Sequence, residues 1–165
     1  MQLHAQLNDI LTKVHPRLLD IDPVAAAVRP APDKWSRSEV LGHLIDSACN
    51  NHARFVRAQF QDSLIFPGYQ QEGWVSTQHY QQANWENIVT LWISYNRHIA
   101  HIIAFTPEEK LYASRQEHDF ATMTHGYIAD ASPDSLFHLM KDYVAHLEHH
   151  LTQILPDYQP SVLGK

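Results

Sequence analysis

Four stretches of the sequence carry apolar residues at the spacing of an amphipathic helix, and this repeated pattern constrains the fold most. They run roughly from Gln2 to Leu19, from Ser36 to about Gln61, from Asn84 to about Phe105, and from Ser132 to Pro156. Each has one apolar stripe, which is typical of a helix packed against other helices. Four such helices bury their stripes most simply in a four-helix bundle, so the sequence predicts an all-α fold.

Residues that favour helix ends mark two of these stretches. Ser36 with Glu39 three residues later has the pattern of a capping box. Ser132 suits the N-cap of the last helix, Pro133 its first position, and Pro156 its stop. These signals predict where the second helix begins and where the fourth helix begins and ends.

Long connections separate the predicted helices. The first, from Asp20 to Lys34, is predicted to be a surface loop, and the next, from Asp62 to Asn84, is predicted to contain one short helix, Ser76 to Gln82. The third, Pro107 to Ala131, shows no clear period and is predicted to be a loop across one end of the bundle. At 165 residues the chain suits one domain with a real core, so we expect residues 1–165 to form a single bundle whose tail frays from about residue 156.

Charge and composition exclude several classes of partner. The net charge is -6 with neutral histidine, and no Lys/Arg cluster offers a face for phosphates, so we expect neither nucleic acid nor a membrane surface as partner. The chain has no apolar run of membrane-spanning length and no signal-peptide pattern at its start, which favours a cytoplasmic location. Its single cysteine, Cys49, agrees with a reducing compartment.

The last helix carries three histidines in its final turns, and helical phase separates them. His146 and His150 lie seven residues from apolar residues, on the side of the helix predicted to face the core. His149 lies seven residues from Asp142, and both are predicted to face solvent; the alternative for Asp142, one turn before His146, is that it orients a ligand imidazole. Two inward histidines four residues apart can reach one point, as a metal ion requires. The alternative is that each is a core histidine hydrogen-bonded to a neighbour.

A pair on one helix needs a third metal ligand from another helix, and His43 is the candidate. It lies early in the second helix, on the border of the apolar stripe, while His146 and His150 lie late in the fourth. Antiparallel packing of these helices would bring the two ends together. The sequence therefore predicts a site formed by His43, His146 and His150.

Two segments carry a resemblance to a known family. The segments W-S-R-S-E-V-L-G-H-L-I-D-S and D-Y-V-A-H-L-E-H-H-L-T-Q-I together resemble the DinB-like family of small metal-binding helical bundles, which includes bacillithiol- and mycothiol-dependent S-transferases. The resemblance implies a divalent ion, zinc or nickel, held by His43, His146 and His150 with its other positions open. Such open sites are typical of catalytic metals, because structural zinc sites close all four positions.

Other polar residues are predicted to lie in a pocket or at the surface. Asn50, Arg54 and Tyr95 are candidate substrate-pocket residues, with Arg54 suited to an anionic substrate. The sequence assigns no role to His98, and it predicts His101 at the surface and His118 and His125 in an exposed loop.

Three hypotheses about function follow. The first is a metal-dependent enzyme that transfers a low-molecular-weight thiol or hydrolyses a small substrate. The second is a non-catalytic, metal-stabilised or metal-sensing helical module that binds a partner or ligand. The third is a plain bundle whose histidines are core and surface residues. Helix faces left uncovered on a small bundle favour a homodimer, although no residue of the chain specifies one.

Overall fold

The computed structural model describes residues 2–61, 63–113, 117–128 and 135–161. These residues are mainly helical, which confirms the all-α prediction. Within these ranges the chain forms no strand, and a single bridge joins Leu64 to His118. The helices in chain order are α1 (Leu3–Leu19), α2 (Pro23–Ala27), α3 (Arg37–Arg57), α4 (Gln71–Gln78), α5 (Trp85–Phe105), α6 (Glu108–Leu111), α7 (Phe120–Met123) and α8 (Leu136–Ile154), with a 3₁₀ turn at Tyr80–Gln82.

The four long helices pack in the spatial order α1, α5, α3, α8. Helix α5 contacts both α1 and α3, and α3 contacts α8. The indole Nε1 of Trp85 donates to the carbonyl of Leu18 at 2.8 Å, and the Tyr143 hydroxyl donates to Asn96 Oδ1 at 2.5 Å. These buried hydrogen bonds join α5 to α1 and to α8 across a core of leucine, isoleucine, valine and aromatic side chains. None of the helices in the described ranges has the length and apolar character that crossing a bilayer requires.

The start of α3 is held by the predicted capping box. Ser36 Oγ accepts from the Glu39 amide at 3.2 Å, and the Glu39 carboxylate accepts from the Ser36 amide at 2.8 Å. The guanidinium of Arg29 forms an ion pair with the same carboxylate, which is buried. Burial opposes ionisation of Glu39, but hydrogen bonds from Arg29 and Ser36 outweigh it and lower the pKa of the carboxyl. The loop before α3 is thereby tied to the helix that carries His43.

Two helix boundaries differ from the sequence prediction. Helix α3 ends at Arg57 rather than near Gln61. The short helix predicted at Ser76–Gln82 is instead α4, Gln71–Gln78, and the 3₁₀ turn that follows it. His79 lies between them in the left-handed conformation, with φ 52°, and this reversal separates the two pieces.

The ends of the last helix also differ from expectation. Helix α8 begins at Leu136, and Ser135 is its N-cap, accepting from the His138 amide at 3.1 Å. The predicted cap, Ser132 with Pro133, lies outside the described residues. In the tail that is predicted to fray, the Tyr158 hydroxyl and the Ser161 amide donate to the buried Glu148 carboxylate at 2.6 and 2.8 Å, and fraying stays a prediction.

Gly42 provides a test of how α3 is positioned. A Cβ at this residue would lie 2.1 Å from Cδ2 of Tyr80, whose hydroxyl donates to Asp46 Oδ1 at 2.7 Å. We expect Gly42→Ala to lower the free energy of unfolding by about 1–3 kcal/mol, because the ring must shift in a packed site. Urea unfolding measures this change. Gly68→Ala, where no atom lies within 4 Å of a built Cβ, is the control. Equal stabilities for the two variants would contradict the prediction.

Candidate metal centre

Three histidines meet where the N-terminal part of α3 faces the C-terminal part of α8. His43 is 1 % exposed and His146 is 2 % exposed, while His150 is half-buried. Their potential ligand atoms all lie within 4.8 Å of one another, and the Nε2 atoms of His43 and His146 are 3.3 Å apart. Tetrahedral zinc, with Zn–N bonds of about 2.0–2.1 Å, places its ligand nitrogens about 3.3–3.4 Å apart. The antiparallel arrangement of the two helices therefore brings the three predicted residues together.

Burial keeps these imidazoles neutral. It lowers the pKa of His43 to about 3, with smaller contributions from the neighbouring His150 and His125. Burial also lowers the pKa of His150 to about 4, against an opposing hydrogen bond to Gln153 Oε1, and it lowers the pKa of His146. Neutral imidazole has a free lone pair at pH 7, which is the form that binds a metal ion.

The second ring nitrogen of each histidine tests whether the residues fit a metal ion. His150 Nδ1 lies 3.2 Å from Gln153 Oε1, and donation to that oxygen leaves Nε2 with its lone pair. The Nδ1 atoms of His43 and His146 are buried and have no hydrogen-bond partner within the described ranges. Beside His146, however, lies a cavity of about 10 Å³ that Asp142 also lines, which is about the size one water needs. The donor set and its surroundings fit a divalent cation.

Asp142 was predicted to be exposed, and this prediction is wrong: the residue is 1 % exposed. Its Oδ2 accepts from the backbone amide of His125 at 2.8 Å, which holds the loop after α7 over this part of α8. The His125 ring then stacks on His146, with centroids 4.0 Å apart and an interplanar angle of 16°. His125 is exposed as predicted, but one face of its ring covers the candidate centre. Tyr127, from the same loop, stacks on the half-buried His149.

A large cleft of about 980 Å³ opens on the other side of the histidines. His150 and Gln153 form part of its wall, and Trp35 brings the cleft close to His43, with ring centroids 5.2 Å apart. The remaining lining residues come from the segment containing α2, from the start of α3, from α4 and from the residues after α8. They are Ala25, Val28, Pro30, Asp33, Lys34, Arg37, Val40, Glu72 and Pro156. The candidate centre is thus accessible from the cleft through His150.

The predicted pocket residues lie elsewhere on α3 and α5. The Asn50 side chain donates to the Asp46 carbonyl at 2.8 Å within its own helix. Arg54 is 7 % exposed and donates to Asn51 Oδ1 at 3.3 Å, while Tyr95 contacts the ring of His52. Asn50, Arg54 and Tyr95 are not among the residues that line the large cleft. Their role in substrate binding stays a prediction.

The other predicted histidines separate into two groups. His98 and His101 are exposed on α5, which agrees with the surface prediction for His101. His118 is half-buried rather than exposed, because the bridge to Leu64 holds it against Phe120. Neither His98 nor His118 belongs to the three-histidine cluster.

Sequence reasoning missed Trp35, Gln153 and the loop contact of His125. Gln153 had a detectable signal, since it follows His150 by three residues and therefore shares its face of the helix. Trp35 directly precedes the helix cap, and helical phase does not extend to such a position. His125 lies in a segment without a period, so its position over His146 had no signal in the sequence.

Comparison with known proteins adds one result about the fold. No family model matches the chain, and no curated protein matches its sequence. The fold is similar to that of YfiT from Bacillus subtilis. That protein is described as a probable metal-dependent hydrolase with an unusual four-helix bundle topology. The two share 14% sequence identity over 93% of this chain and 84% of that chain, with a TM-score of 0.71. The fold implied by the DinB-like resemblance is therefore confirmed, and at this identity the likeness concerns the fold alone.

The exposure of the histidines leads to a prediction about their chemical reactivity. Diethyl pyrocarbonate acylates accessible neutral imidazole, so we expect fast modification of His98 and His101 and slow modification of His43 and His146. Peptide mass spectrometry after a time course measures each rate. Unfolding in urea serves as the control, since it should make the rates similar. Fast modification of His43 in the folded protein would contradict the structure.

Proposed function

We propose that the chain is a metal-dependent enzyme that hydrolyses a small substrate at a centre held by His43, His146 and His150. The observation that carries the proposal is the convergence of three neutral imidazoles within 4.8 Å beside a cleft of about 980 Å³. No fourth Cys, Asp, Glu or His of the described residues joins the cluster, so protein ligands would leave coordination positions open. Open positions are typical of catalytic metals.

When bound, a divalent ion such as zinc or nickel supplies Lewis-acid activation of water, or of a thiol, at neutral pH. The chain's own residues orient the ligands and limit access. Gln153 fixes the ring of His150 through Nδ1, and Trp35 packs at the ring of His43 on the side of the cleft. His125 covers one face of His146. Substrate would therefore approach from the cleft, past His150.

Asp142 is proposed as a positioning residue for His146. Its Oδ1 and His146 Nδ1 are both buried without a hydrogen-bond partner in the described part of the chain, and both residues line the same small cavity. A single water there would join the carboxylate to the imidazole N–H. A carboxylate that receives this N–H, directly or through water, orients the ring and makes its other nitrogen a better ligand.

Transfer of a low-molecular-weight thiol is the second candidate reaction. The cleft volume of about 980 Å³ lies at the upper end of the range for small-molecule sites, so it has room for a thiol and an acceptor together. Hydrolysis is preferred because the structurally similar YfiT is described as a probable hydrolase. A screen of activated esters and amides, with and without added thiols, separates the two reactions by whether turnover requires the thiol.

Metal binding is the first test of the proposal. We expect the purified chain to bind one equivalent of zinc or nickel, measured by elemental analysis and isothermal titration calorimetry. His43→Ala and His146→Ala should weaken binding by more than about 100-fold, because each removes a direct ligand. His101→Ala, exposed on α5, is the matched control and should bind as the wild type does. Unchanged binding in His146→Ala would refute the proposed centre.

A cobalt absorption spectrum and the activity screens together distinguish a catalytic centre from a metal-stabilised or metal-sensing module. Cobalt-substituted protein reports through its absorption spectrum whether added ligands reach open positions. A spectrum that small anions leave unchanged, together with no turnover in the ester and thiol screens, would favour the non-catalytic module.

Removal of the Asp142 carboxylate should act on the metal through His146. We expect Asp142→Ala to weaken zinc binding by about 10- to 100-fold, the usual effect of losing a residue that orients a metal ligand. Asp142→Asn, which keeps an oxygen acceptor, should recover part of the affinity. Asp9→Ala, exposed on α1, is the control. A loss of thermal stability in Asp142→Ala with unchanged zinc affinity would show a purely structural role.

A further inference from the structure

The charges around the large cleft are unevenly compensated. Two acidic residues, Asp33 and Glu72, and two basic residues, Lys34 and Arg37, line it. Asp33 Oδ2 lies 3.8 Å from Lys34 Nζ. Glu72 attracts Arg29, whose main ion pair with Glu39 lies next to the cleft. Each of these acids therefore has a basic neighbour.

Arg37 is the lining cation that lacks such a neighbour. Its side chain is half-buried, and in the described ranges it forms neither an ion pair nor a hydrogen bond. Glu39, the nearest acid along α3, is already occupied by Arg29 and Ser36. A partly buried guanidinium with no counter-charge has its planar donors free for an anion from solution.

The position of Arg37 in its helix does not explain the charge. Arg37 is the first residue of α3, directly after the N-cap Ser36. A cation at a helix N-terminus is unfavourable, because the macrodipole places partial positive charge there. Arg37 therefore does not stabilise the helix, and its position in the cleft wall points to a ligand.

Apolar side chains line the same cleft as Arg37 and His150. Trp35 and Val40 contribute from α3 and the segment before it, and Val28 and Pro30 from the loop after α2. Arg37 and His43 are six residues apart, a rise of about 9 Å along the helix axis. A molecule that contacts both ends of this wall needs an anionic group at one end and an apolar body several bonds long.

We propose that the cleft selects a small organic carboxylate, with Arg37 holding the carboxylate and Trp35 packing against the apolar body. The reacting bond then lies near His150, and in this respect the proposal rests on the proposed function. A carboxylate matches the planar guanidinium fork with its two oxygens, and its single negative charge equals the single positive charge of Arg37. The pocket thus favours an acid such as an N-acyl amino acid over the corresponding amide.

The test compares two ligands of the same shape, 3-phenylpropanoate and 3-phenylpropanamide, by ligand-observed NMR titration. The full chain is used in metal-free and zinc-loaded forms, because the metal-free form excludes direct binding of the carboxylate to the ion. We expect the acid to bind the metal-free protein about tenfold more tightly than the amide, a preference that salt weakens. A third ligand, 2-phenylethylphosphonate, separates carboxylate from phosphate-like recognition.

Variants assign the preference to Arg37. Arg37→Gln should remove the difference between acid and amide without lowering the melting temperature, and Arg37→Lys should keep part of it. Arg57→Gln, exposed at the other end of α3, is the matched control and should keep the full preference. Trp35→Phe should weaken the binding of both ligands equally.

Equal affinity for acid and amide in the wild type, tighter binding of the phosphonate than of the acid, or a preference that survives in Arg37→Gln would overturn the proposal. These results are independent of catalysis. If the chain binds no metal but keeps the acid preference, the carboxylate site stands and the hydrolase proposal fails. If it binds metal and shows no acid preference, the carboxylate site fails and the proposed metal centre stands.

Discussion

The approach of His43 to His146 is the contact on which the functional end of the bundle depends. Their Nε2 atoms are 3.3 Å apart in a buried position, and burial keeps both rings neutral. Two neutral imidazoles that face each other in this way can form one hydrogen bond, in which the Nε2–H of one ring donates to the Nε2 lone pair of the other. With both Nε2 atoms deprotonated, a cation between the rings would instead take a lone pair from each, and His150 could supply a third. The proposed metal would give all three buried imidazoles a partner, whereas the hydrogen bond between His43 and His146 satisfies only those two rings.

The packing of α3 determines whether His43 can reach that position. Gly42 allows the ring of Tyr80 to lie directly on the helix, and the Tyr80 hydroxyl is fixed by Asp46. One turn earlier, Glu39 joins the helix start to Arg29. These contacts are made by Glu39, Gly42 and Asp46, so they position the helix without using the imidazole of His43. Neighbouring residues of one helix thus hold the fold and present the ligand.

Helical periodicity explains why part of the site could be predicted from the sequence. The phase of α8 identified His146 and His150 as inward, and the border position of His43 on α3 agreed with antiparallel packing; the structure places the three side chains together. The four long helices were predicted for the same reason. Asp142 was misplaced because its own helix shows a polar line there, while the group that buries it is the backbone amide of His125 in a loop. Contacts made by segments without helical periodicity cannot be predicted from the spacing of residues in the sequence.

The two sides of the histidine cluster differ, and this difference bears on whether the centre is structural or catalytic. On one side the loop after α7 closes over α8, with His125 on His146 and Tyr127 on His149. On the other side His150 is half-buried and faces a cleft whose wall includes Trp35. A site that served stability alone would gain from closure on both sides, because exposure of one ligand lets water compete for the ion. An ion in this position would instead be shielded on one side and open to solutes on the other, which is the asymmetry that a reaction with a small molecule requires.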